Sequence, residues 1–127
     1  MMKKIALFAF LLASLNIHAQ KQQWKQFHDF RFLLDRTYEL TANNKLQPAK
    51  DSASGLVEKA KELQASPIPA SYDSRALKSL LKKLVKDTES LQSGVRKSKS
   101  DADIKTMMTQ VNETFQQISA KCNDQLW

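Results

Sequence analysis

The chain has 127 residues and a formal charge of +7, with 20 Lys and Arg against 13 Asp and Glu, two histidines and one cysteine. A single cysteine excludes an internal disulfide framework, covalent c-type haem attachment, and a closed zinc site built from four Cys or His ligands. The length suits one domain able to bury a core without staples, and the basic balance favours anionic partners.

Met1-Met2-Lys3-Lys4 forms a short basic head, followed by the apolar run from Ile5 to Leu15 and then Asn16-Ile17-His18-Ala19. This order reads as a secretory signal over residues 1–19, cleaved near Ala19. The run is shorter than the roughly 20 residues a membrane-spanning helix needs, and no second run of that kind follows. Without a cysteine near the cut, a lipid anchor is not expected. The expectation is a single domain over residues 20–127, outside the cytoplasm and most simply in a bacterial periplasm, where nucleic acid is not a partner.

Between Lys21 and Leu40, the residues Trp24, Phe27, Phe30, Leu33, Leu34 and Tyr38 share one broad helical face, with Phe32 and Leu40 beside it. Asn43 and Asn44 break this pattern, because both favour turns and caps. Pro48 then suits the first turn of a second helix, where its missing N–H is no loss. Leu46, Ala49, Ala53, Leu56, Ala60 and Leu63 follow at alternating steps of three and four. The alanines among them imply close approach of a neighbouring helix, and Gly55 is expected to cost about 1 kcal/mol relative to alanine.

Ser66-Pro67-Ile68-Pro69 cannot continue a helix, and Asp73 or Ser74 can cap the next one. Helix three carries Leu77, Leu81, Leu84, Thr88, Leu91 and Val95, with Leu80 and Val85 widening the stripe, and Gly94 is read as its fraying end. Ser100 with Asp103 resembles a capping box that opens helix four. From Asp101 to about Gln125, the residues Ile104, Met108, Val111, Phe115, Ile118 and Cys122 recur at steps of four and three, one apolar seam on one helix. No β-type alternation of useful length occurs. Four amphipathic helices joined by short connections predict an all-α, antiparallel up-down-up-down four-helix bundle.

Candidate sites are few. Di-iron bundle sites need about four carboxylates and two histidines facing inward. Beyond the signal only His28 remains, and the carboxylates lie mostly off the seams. Non-covalent haem between helices, held by His and Met, meets a spacing problem. His28 is expected level with Ile118 to Cys122, which leaves Met107 some ten residues away, on the order of 15 Å of helix rise. Met107 and Met108 are therefore expected to be packing residues. His28 and Cys122 form the one pair of soft ligands that the topology can bring to the same end, where copper or haem iron is the cofactor to consider. An odd cysteine in an oxidising compartment is otherwise buried, or links two chains, so a homodimer is compatible with it.

The segment from Ser74 to Lys99 is strongly basic. Lys78, Lys82, Lys83 and Lys86 are candidates for contact with anionic lipid head groups or an acidic periplasmic protein, against the plainer reading of a solvated face. Tyr72 and Trp127 could accompany them at such an interface.

Phe27-His28, Thr37-Tyr38, Asn44-Lys45-Leu46-Gln47-Pro48, the Ser66–Pro69 turn, and Asn112-Glu113-Thr114-Phe115 with Cys122 together resemble a group of small secreted bacterial bundles, similar in architecture to cytochromes b562 and c′. The resemblance implies metal or haem binding through histidines around the second motif and in the helix-four motif. The corresponding places here hold Glu39, Asn112 and Gln116, and His28 and Cys122 are the retained ligand types. The leading expectation is a non-enzymatic periplasmic binding or interaction bundle with no cofactor. The alternative is a haem- or soft-metal-binding module at the His28 and Cys122 end.

Overall fold

The computed structural model describes residues 24–122. The signal expected over 1–19, its cut near Ala19, and Trp127 lie outside the described residues. Four helices make up most of the described chain: α1 (Lys25–Ala42), α2 (Gln47–Ala65), α3 (Ser74–Arg96) and α4 (Asp101–Lys121). Each packs on its neighbour in the chain, and α1 closes the ring against α4. The connections 43–46, 66–73 and 97–100 are too short to cross the bundle, so neighbours run antiparallel. The side-chain pairs agree with this. Trp24 bonds Ser66 across α1 and α2, Gly94 meets Met107 across α3 and α4, and Lys105 reaches back to Asn44 from α4 to α1.

Local chemistry sets the helix ends. Asp73 accepts the N–H groups of Arg75 and Ala76 at 3.1 and 3.3 Å, and Ser100 accepts that of Asp103 at 3.1 Å, so α3 and α4 both start on capped donors. Pro48 sits in the first turn of α2. The ends of α1 and α3 share one device. Asn44 (φ 63°) and Ser98 (φ 54°) turn the chain left-handed, the N–H of Lys45 reaches the Leu40 carbonyl at 2.9 Å, and that of Lys99 reaches Gly94 at 3.0 Å. These are Schellman closures, with Asn and Ser where Gly is more usual.

All six seam residues of α2 and all six of α4 are buried, as are Leu77, Leu81, Leu84, Thr88 and Leu91 of α3. On α1 the buried set is Phe27, Phe30, Leu34, Thr37 and Thr41. Leu33 and Tyr38, expected on that broad face, are its half-buried flanks, and Phe32, expected beside it, is exposed. Thr37 and Thr41 take inward positions because each hydroxyl donates to the carbonyl four residues back, at 2.7 and 2.9 Å, so neither hydroxyl is buried bare. The Thr88 hydroxyl likewise donates to the carbonyl of Val85, three residues back, at 2.8 Å.

Gly94 is not a fraying end. The helix continues to Arg96, and Gly94 is buried where a Cβ would lie 2.6 Å from Met107 Sδ. Its missing side chain makes room for Met107. No helix among the described residues is long and apolar enough to cross a membrane.

Candidate functional site

One end of the bundle gathers the start of α1, the 66–73 connection and the end of α4. Trp24, just before α1, is buried, and its indole N–H donates to Ser66 Oγ at 2.8 Å, which in turn donates to the Leu63 carbonyl at 2.6 Å. These bonds pin the connection over the core. Trp24 stacks on Phe27 with centroids 6.0 Å apart, and Phe27 stacks on Phe115 at 4.8 Å. Phe30 tilts onto Phe115 at 5.2 Å. Rings from α1 and α4 thus fill the space between the helices.

His28 lies on the rim of this end, half-buried, its ring edge-on to Phe27 at 5.7 Å. Cys122, the residue capping α4, is 1% exposed, and burial pushes its thiol up to about 11. A thiol so placed is neutral at ordinary pH and is not a ready nucleophile or thiolate ligand. Tyr72 is buried too, at 7% exposure, tilted against Trp24 at 6.3 Å. Its pKa is raised by burial and, secondly, by the nearby Cys122. The surface position expected for Tyr72 is therefore incorrect, because the folded connection turns its ring inward. Its hydroxyl is buried without a hydrogen-bond partner among the described residues. Among the described residues, no three His, Cys, Asp or Glu side chains converge as ligands of a metal ion would. Of the places where the resemblance puts histidines, Glu39 and Gln116 are exposed and Asn112 is half-buried.

The second candidate is the outer face of α3. Lys78, Lys82 and Lys86 recur every four residues, and all are exposed, as is Arg75 three residues before the first. None of the four has a carboxylate partner within ion-pair distance among the described residues. Lys83 differs. It points toward α4, where its ammonium donates to Asp87 Oδ2 and to Thr114 Oγ1, both at 3.0 Å, while the Thr114 hydroxyl donates to Asp87 Oδ2 at 2.5 Å. The Asp87 carboxylate is mostly covered, at 14% exposure, and this three-way contact ties α3 to α4. Periodicity alone cannot show such a role, because it groups Lys83 with its exposed neighbours, and only the position of Thr114 on α4 separates them.

Comparison of the chain with protein-family models, with characterised proteins and with solved structures finds no match in any of the three. The arrangement itself defines the class, an all-α four-helix bundle.

Proposed function

We propose that this chain is a non-enzymatic binding protein, working outside the cytoplasm in a bacterial periplasm, that presents the outer face of α3 to phosphorylated lipid head groups. The observation that carries this reading is the stripe Arg75, Lys78, Lys82 and Lys86, four exposed cations on one face of α3 without an ion-pair partner among the described residues, whereas Lys25 is matched by Asp29 and Lys61 by Glu89. Basic residues close to an anionic membrane each contribute about 1 kcal/mol, and four on one helix face suffice for reversible attachment. The extracytoplasmic setting rests on the N-terminal sequence pattern over residues 1–19.

The alternative is a haem- or soft-metal-binding module at the His28 and Cys122 end. One observation favours it, the unpartnered hydroxyl of Tyr72 near Cys122, which would accept a polar group there. Two others weigh against it. The stacked rings of Trp24, Phe27 and Phe115 occupy the interior a macrocycle would need, and burial holds Cys122 as a neutral thiol.

The test is sedimentation of the protein with phosphatidylglycerol-containing vesicles. Binding is expected at low salt and should weaken steeply as ionic strength passes about 0.1 M, where the Debye length is about 10 Å. The triple variant Lys78→Glu, Lys82→Glu, Lys86→Glu should not bind at any salt concentration. Absence of binding at low salt would return α3 to a solvated face, and binding that the triple variant retains would place the contact elsewhere.

A further inference from the structure

Phe32 is, among the described residues, the one large hydrophobic side chain left exposed, at 66%. A lone exposed ring is ordinary. The residues sharing its face are less so. Lys25, Asp29, Phe32, Arg36 and Glu39 follow one another at steps of four, three, four and three. They form a second stripe on α1, opposite the core residues Phe27, Phe30 and Leu34. The stripe reads positive, negative, ring, positive, negative. Turned end for end about Phe32, it meets its own complement, with Lys25 against Glu39 and Asp29 against Arg36.

That symmetry is what an isologous twofold contact requires, since each residue must face its complement on an identical surface. We propose that this face of α1 is the interface of a homodimer. In it, α1 packs antiparallel on α1 of a second copy, Phe32 lies at the twofold axis, and two oppositely charged pairs flank the ring on either side. The heptad-like spacing is the one that keeps two antiparallel helices in register along a single seam.

Within one protomer the charges of this stripe are only partly matched. Lys25 donates to Asp29 Oδ2 at 2.8 Å, which leaves Oδ1 open to the guanidinium of Arg36 from the second copy. Arg36 rests over its own Phe32 ring, 5.7 Å from the centroid, and has no carboxylate partner among the described residues. Glu39 is exposed and likewise makes no ion pair among the described residues. Asp35, the one carboxylate that could spoil the pattern, lies off the stripe and is held by Arg31 at 3.4 Å. Between α1 and α2 the surface is hollow on both sides of Phe32, toward Leu40 and Pro48 on one side and toward Lys59 on the other. The hollow at Leu40 and Pro48, floored in part by Leu33, can seat the ring of the second copy.

Because α1 and α3 stand diagonally in the ring, this contact leaves the basic face of α3 uncovered and is independent of lipid binding. The test is sedimentation equilibrium of the full chain across a concentration series. A reversible monomer–dimer equilibrium is expected, and Phe32→Asp should weaken it roughly tenfold or more, the counterpart of withdrawing a buried ring from each side. Helical circular dichroism should be unchanged, since the side chain lies outside the core. Lys25→Glu and Glu39→Lys should each weaken the dimer by placing like charges opposite one another. An equimolar mixture of those two variants should restore it, because both outer positions of one copy are then acidic and both of the other basic, while Asp29 and Arg36 pair as before. A monomer up to the solubility limit, a dimer indifferent to Phe32→Asp, or a mixture no better than its components would each overturn the proposal.

Discussion

Phe115 stacks on Phe27 and leans on Phe30, so one ring on α4 carries much of the contact that closes the bundle against α1. Truncating it leaves a cavity bounded by side chains already held by other helices, which can collapse only in part. Phe115→Ala is therefore expected to cost about 3 to 5 kcal/mol, and Lys82→Ala, on the solvated face, less than about 0.5 kcal/mol. Urea melts measure both, and equal losses would contradict the assignment of the α4 seam to the core. Cys122 gives a pH-dependent prediction. Its folded pKa is pushed up to about 11 from a reference of 9.0, so the unfolded chain releases this proton first as pH rises. Between those values the folded state binds more protons, and stability must fall with rising pH. Cys122→Ser should flatten part of that fall, while Tyr72, raised by burial, and Lys25, raised by its bond to Asp29, still contribute to the rest. Identical pH slopes for the two proteins would show that the thiol is not buried in solution.

At the scale of the helix, the two glycines separate local propensity from tertiary fit. A Cβ on Gly55 would meet Leu33 Cδ2 at 3.5 Å, an ordinary contact, so Gly55→Ala should stabilise the protein by about 1 kcal/mol through helix propensity alone. At Gly94 the same Cβ would press on Met107 Sδ at 2.6 Å, and displacing that side chain offsets the gain. A higher urea midpoint for Gly55→Ala, without an equal rise for Gly94→Ala, is the expected pattern. Equal rises would mean that Met107 moves aside freely. The seams of α2, α3 and α4 were legible because leucine, alanine and isoleucine at steps of three and four have one sensible place in a bundle. The face of α1 was less so. Its rings made the stripe look wider than it is, while Thr37 and Thr41 gave no apolar signal although both are buried.

For the whole molecule, the decisive contrast is between a bundle that encloses a ligand and one that binds through its surface. Titration with Cu(I) or haem distinguishes them. On the proposed reading neither gives saturable one-to-one binding that His28→Ala and Cys122→Ser both weaken, because the two residues supply fewer donors than a tight site needs. Saturable binding lost in both variants would make the cofactor role the function. His28 and Cys122 were readable as candidates from residue type and topology, and the structure places one on the rim and the other in the core of the same end. Tyr72 was misplaced because it falls in the 66–73 connection, where no periodicity exists to say which way a ring turns.

The sequence by itself determined the four helices, their order and most of their inward faces. Those follow from spacing, caps and breakers that act over a few residues, and short connections leave one simple way to pair the helices. Tertiary structure alone decided the roles of side chains whose neighbours are distant in the chain. Lys83 is separated from Lys82 by Thr114 and Asp87, Gly94 is explained by Met107, and Tyr72 is buried by the fold of its connection against Trp24. Phe32 belongs to the same group. Its exposure follows from the rotation of α1, which buries Phe27, Phe30, Leu34, Thr37 and Thr41, and only once that rotation is known does the alternating charge on either side of Phe32 stand out as a surface. The physical reason is range: hydrogen-bonded helix geometry is set locally, whereas the rotation of one helix against another is the outcome of packing the whole core at once.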